Sequence, residues 1–237
     1  MSTGTMSHDL RPRQPPCKKA ELEIQNLLQR PAGAGTNFQA QFYPRDKILN
    51  FLNREEVEKV LLCKCHNCSE HLGCLSQEEG SNQSPRQYHD NIIPFHGNGQ
   101  RAVSLFALMI ILRYPLLIIP LLSRNYRDAS FLDEYHRDTS KDRDTEVPRL
   151  KKFFECLGPD EAGALAERFW ENVFKFAVPF LHGKDFTIYH ANTVLPFLTS
   201  ERLGGGAFGD VFAFTIYAHY NNLPVSLDAP QSPVYSP

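Results

Sequence analysis

Two short stretches hold residue types that could do chemistry. The first is Cys63-Lys-Cys65-His66-Asn-Cys68-Ser-Glu-His71-Leu-Gly-Cys74. It gathers thiols and imidazoles, the soft and borderline ligands that zinc takes about four at a time at tetrahedral corners. Cys65-x-x-Cys68 has the spacing that lets two sulfurs reach adjacent corners of one ion. Cys63, His71 or Cys74 could complete the set, and the four cysteines Cys63, Cys65, Cys68 and Cys74 are the candidate metal ligands. Structural sites usually close with a second, distant pair of ligands, and no distant C-x-x-C or H-x-x-x-H pair occurs. The plainer alternative therefore stays open: the thiols partly line a helix end against the core and partly lie exposed. Redox catalysis at Cys65-x-x-Cys68 is not expected, because no βαβ pattern surrounds it.

The second stretch is Glu201-Arg202-Leu203-Gly204-Gly205-Gly206-Ala207-Phe208-Gly209-Asp210-Val211-Phe212-Ala213-Phe214. Side chains are missing where a backbone would have to approach phosphate groups closely. A Rossmann glycine motif opens a helix, but Asp210–Tyr220 continues in aromatic and β-branched residues, which reads as a strand. A P-loop needs Gly-Lys-Ser/Thr after its glycines, and none follows. What remains is strand, glycine turn, strand. No other constellation carries chemistry. His89 with Asp90, Tyr135 with His136, and His182 near Asp185 are neighbours in sequence only, and there is no G-x-S-x-G. No catalytic residue is nominated.

The elements that must position these stretches are mostly helical. Weak helical spacing runs over 18–29 and again over Pro44–Leu52. Asn53, with Glu56 three residues on, marks a helix start leading to the cysteines. Ala102–Leu122 is apolar enough to suggest a membrane span, but Arg113 and Pro115 split it, and a mid-bilayer Arg costs roughly 2.5–3.5 kcal/mol. Two buried helical pieces are expected instead. Asp133–Glu146 reads as an exposed loop. Pro148 suits the first turn of a helix through Leu157, and Pro159 that of a longer one with Leu165, Phe169, Val173 and Phe176 on its apolar face. After about residue 182 the pattern turns to strand, over Phe186–Tyr189, Thr193–Leu198 and Asp210–Tyr220.

The expected organisation is a disordered tail (1–17), a helical region (18–184), a glycine-rich hairpin (195–220) and a second disordered tail (221–237). The fold class is mainly α with a small C-terminal β-hairpin. A net charge of −2 gives no strong field toward nucleic acid or anionic lipid, so neither partner is expected. The polar N-terminus lacks a signal-peptide core, and the cysteines are not spread as a disulfide framework, so an intracellular location with reduced thiols is expected.

The stretch Leu195-Pro196-Phe197…Leu203-Gly204…Val211…Tyr217…Tyr220-Asn221-Asn222-Leu223-Pro224 resembles the opening of the kinase domain in filamentous-fungal protein-kinase-like proteins, which carry a mainly helical region ahead of it. The resemblance implies the first strands of a protein-kinase N-lobe, with ATP and Mg²⁺ as cofactors of the intact family. It places Leu203, Gly204, Gly206, Phe208, Gly209 and Val211 around the nucleotide. The family's ATP-anchoring lysine has no counterpart, since Lys184 is the last lysine, and no H-R-D or D-F-G segment follows the glycines. The resemblance thus implies a truncated, inactive kinase domain start. The reading from a different class is a non-catalytic helical module that meets a protein partner and holds zinc.

Overall fold

The computed structural model of the chain describes residues 14–32, 40–75, 88–93, 101–129, 135, 142–183, 189–206 and 209–223. It is mostly helical, with a small antiparallel hairpin and a short parallel strand pair. The helices in chain order are α1 (Pro16–Asn26), α2 (Arg45–Phe51), α3 (Arg54–Leu61), α4 (His66–Leu75), α5 (His89–Ile92), α6 (Val103–Ile111), α7 (Ile118–Ser123), α8 (Arg143–Phe153) and α9 (Pro159–Phe176). The strands are β1 (Leu181–His182), β2 (Phe197–Gly206), β3 (Gly209–Ile216) and β4 (Asn221–Asn222).

The apolar block is the centre of the core. Residues Val103 to Ile110 of α6 are all buried, and α7 is buried over Ile118–Leu122. Arg113 breaks the run as expected, with φ +70°, and Pro115 opens a 3-10 turn before α7. Among the described residues, no helix is long and apolar enough to cross a membrane. The N-terminus of α6 is closed by Asp128, whose carboxylate accepts from the Ser104 and Leu105 N–H groups at 3.1 and 3.0 Å. Such a cap satisfies orphan donors inside a dry core. The Arg45 guanidinium lies 3.7 Å from the same carboxylate.

Around α6 pack α1, α2 and α9. The predicted apolar face of α9 is buried at Leu165, Phe169, Val173 and Phe176, and Pro159 stands in its first turn. Asn53 caps α3 as its spacing predicts, its Oδ1 accepting from Glu56 N–H at 3.1 Å. Two boundaries differ from expectation. Helix α8 begins at Arg143, five residues before Pro148, because Asp142 caps it by accepting from Thr145 N–H at 2.8 Å. The charged stretch thus ends in a helix start rather than in loop. Helix α1 begins at Pro16, inside the segment expected to be a disordered tail; residues 1–13 lie outside the described residues.

The hairpin is longer on its first side than the sequence suggests. Strand β2 runs through all three glycines to Gly206, which pairs with Gly209, while Arg202↔Phe212 and Gly204↔Val211 leave Leu203 as an extra residue in the ladder. Strand β3 stops at Ile216, short of the predicted Tyr220. There the chain turns inward, because Tyr220 is fully buried and its hydroxyl accepts from Arg45 N–H at 2.8 Å, where α2 begins. Beyond it β4 pairs in parallel with β1, and Ala32 bridges to Thr199 of β2. Most of the predicted strand Phe186–Tyr189 and residues 224–237 lie outside the described residues.

Candidate metal centre

The site is built at a corner where three helices meet. Helix α3 ends at Leu61, and the chain turns through Cys63, whose N–H donates to Val60 O at 3.1 Å. Cys65 immediately precedes α4, and Cys68 lies in that helix's first turn. Cys17 is in the first turn of α1. Helix α1 packs on α3 and α6, which brings Cys17 to sulfurs 46 and 48 residues away in sequence.

The sulfurs of Cys17, Cys63, Cys65 and Cys68 all lie within 4.8 Å of one another. Cys17 Sγ stands 3.5 Å from both Cys65 Sγ and Cys63 Sγ. A tetrahedral zinc–thiolate centre with bonds of about 2.3 Å needs sulfur–sulfur edges of about 3.8 Å. The cluster already has that size. None of the four forms a disulfide. The set could hold a metal such as zinc.

The electrostatics treat the sulfurs differently. Two helices, α1 and α4, direct their N-terminal ends toward the cluster, and such ends favour negative charge. Burial opposes ionisation at Cys65, but the hydrogen bond from the Cys68 backbone and the Cys17, Cys68 and Cys63 thiols outweigh it, holding Cys65 below the ordinary thiol range. Burial pushes the Cys17 thiol up to about 12, reinforced by its hydrogen bonds to Cys65 and Cys63, and burial also raises Cys68 strongly. Ionisation is thus easier at Cys65 than at Cys17 or Cys68. A divalent cation would reverse that balance and deprotonate the set.

A groove of about 330 Å³ lies beside the cluster, lined by Cys17, Cys65, Lys18, Glu21, Asn67 and Arg113 among others. Glu21 is nearly buried and bridges the two cations, accepting from Lys18 Nζ at 2.7 Å and from Arg113 Nε at 3.0 Å. Burial alone would raise the Glu21 carboxyl; the two cations hold it below its usual range.

Of the residues nominated from sequence, Cys63, Cys65 and Cys68 come together here. The Cys74 side chain lies outside the described residues. His71 is buried and stacks on Tyr114 with ring centroids 4.6 Å apart, and His66 is exposed and faces Glu70 at 3.1 Å. Neither imidazole belongs to the cluster. Sequence reasoning missed Cys17. Its only signal was a lone cysteine at a Pro-Pro-Cys helix start, since the pairing is made by tertiary packing of α1.

The glycine-rich residues are placed differently. Leu203 and Val211 are 64% and 60% exposed on the hairpin. A Cβ added at Gly204 or Gly206 would meet nothing within 4 Å. Gly209 has φ +132°, a conformation that only glycine adopts freely. Phe208 lies outside the described residues. Arg202 and Asp210 pair across the strands at 2.6 Å, beside Gly205. Comparison of the chain with protein-family models, with curated proteins and with solved structures gives no match.

Proposed function

We propose that this chain is a non-catalytic helical module stapled by one structural zinc ion on Cys17, Cys63, Cys65 and Cys68. The observation that carries the reading is the gathering of four sulfurs within 4.8 Å of one another, from two separate parts of the chain. Four protein sulfurs fill a tetrahedral ion, leaving no position for water or substrate, which is the pattern of structural rather than catalytic zinc. The ion would tie the first turn of α1 to the α3–α4 corner. Closing a long loop in this way restricts the unfolded chain and is coupled directly to folding.

Metal analysis of the full chain, purified under reducing conditions without chelator, is the test. About one zinc per chain is expected, and Cys17→Ser should lose most of it while Cys156→Ser keeps it. Zinc retained in full by Cys17→Ser, or absent from the unaltered chain, would refute the ligand set.

A second reading is supported by the hairpin. The chain leaves the glycines as strand β3, paired back on β2, which suits the first hairpin of a protein-kinase-like domain and not a Rossmann or P-loop turn. Phosphoryl transfer works by positioning and by stabilising charge with a lysine, an aspartate base and metal-binding groups. This chain has no lysine after Lys184, and no H-R-D or D-F-G segment follows the glycines; the H-R-D triplet His136-Arg137-Asp138 precedes them, on the wrong side for a kinase catalytic loop. An assay with ATP and generic peptide or protein acceptors should therefore read no transfer above background.

A further inference from the structure

We infer that Cys17 and Cys65 form an oxidation site at which a small hydroperoxide makes a disulfide and displaces the metal. The inference rests on the tetrathiolate reading for the metal, but the pair itself stands on separate observations. The four sulfurs are not equivalent. All but Cys63 line the groove, but Cys63 and Cys68 are only 8% and 1% exposed, whereas Cys17 and Cys65 are half-buried and open to solvent there. Their sulfurs are 3.5 Å apart, so a bond of about 2.05 Å needs a closure of only about 1.5 Å. Lys18 and Arg113 flank the same groove with Glu21 between them, so two cations against one carboxylate leave it a net positive charge, which favours anionic sulfur as a nucleophile.

The chemistry balances without a further cofactor. One of the two thiolates attacks an oxygen of the hydroperoxide. A sulfur–oxygen bond forms, the oxygen–oxygen bond breaks, and the departing alkoxide or hydroxide takes a proton. The second thiolate then attacks that sulfur. The sulfur–sulfur bond forms, and the oxygen leaves as hydroxide and is protonated to water. Two thiolates lose two electrons in all, and the peroxide gains them. The ion does not change its charge; it loses two of four anionic ligands and is released. The new bond joins the same two elements that the ion joined, α1 and the start of α4, so the corner stays closed after the metal leaves.

Hydrogen peroxide titrated against the reduced full chain tests this, with released zinc followed by a colorimetric chelator and cross-links mapped after trypsin. Cleavage at Lys64 puts Cys63 and Cys65 on different peptides, and Cys17 lies on a third, Gln14–Lys18. The expected first product joins the Cys17 peptide to the one starting at Cys65, with fragmentation placing the bond at Cys65, as about one equivalent of zinc appears. The oxidised protein should also melt higher than the reduced, chelated one. A first cross-link between Cys63 and Cys68, or sulfenylation of Cys156 ahead of any cross-link, overturns the inference. A Cys17–Cys65 bond forming in a protein that never held zinc supports the pair and sinks the metal reading alone.

Discussion

The cysteine corner and the glycine hairpin both stand out in the sequence, yet the fold treats them in opposite ways. The corner is assembled from three helices and drawn against a buried core. The hairpin stands at the periphery with open space at Gly204, Gly206 and Gly209, and it is held at its base by the Ala32 bridge and by Tyr217 and Tyr220 reaching α2. Motif spacing marked the hairpin far more sharply than the corner. The difference teaches that a spacing pattern only nominates a site, whereas a site is made by what packs around it. Chemistry needs positioned groups, and only the corner has them among the described residues.

The largest separation between the two regions should come from removing metal. A ligand held at about 1,000 times its Kd contributes about 4 kcal/mol to stability. For a chain of this size that corresponds to a fall in Tm of about 8–16 °C on chelation in reducing buffer. Cys68→Ala should give a similar fall and make it insensitive to chelator. A chelator effect under about 2 °C in the unaltered chain would remove the metal from its stabilising role.

The next effect concerns how the hairpin is held. Tyr220 is fully buried, packs near Phe42 and Phe180, and accepts from Arg45 N–H. Tyr220→Phe keeps the ring but leaves that N–H, at the start of α2, without its acceptor. The cost should be about 1–2 kcal/mol, read in urea denaturation with an unchanged m-value. Zinc content should not change, since Tyr220 and the cysteines sit in different parts of the fold. Zinc loss in this variant would mean that the two regions are coupled.

These elements also show what was legible in the sequence. Periodicity and caps placed α3 and α9 well, because Asn53 and Pro159 act through neighbours three or four residues away. The split of the apolar block at Arg113 and Pro115 was readable for the same reason. Cys17 was not, because its partners are brought to it by α1 packing on α3 and α6. The end of β3 was hidden likewise: Tyr217 and Tyr220 fit a strand pattern, but their hydroxyls are claimed by Asp46 and by Arg45 N–H of a distant helix. Asp142 was passed over as a loop residue because the charges around it masked a capping position.

The smallest effects should come from the glycines, and they sharpen the contrast most finely. Gly204 has ordinary backbone geometry, and its added methyl would meet nothing within 4 Å. Gly204→Ala should therefore change stability by less than about 0.5 kcal/mol. Gly209 has φ +132°, so Gly209→Ala forces a strained backbone at the hairpin turn and should cost about 1–3 kcal/mol locally. Because the turn is far from the core, that cost should appear as faster amide exchange in β2 and β3, and only partly in Tm. Calorimetric titration with ATP and Mg²⁺ should give no heat for either variant or for the unaltered chain, since two exposed strands leave the adenine side unwalled. Binding in the unaltered chain that is lost in Gly204→Ala would reverse the ranking of the two regions. The open backbone at Gly204 would then be a phosphate contact, and the hairpin, not the cysteine corner, would be the functional site.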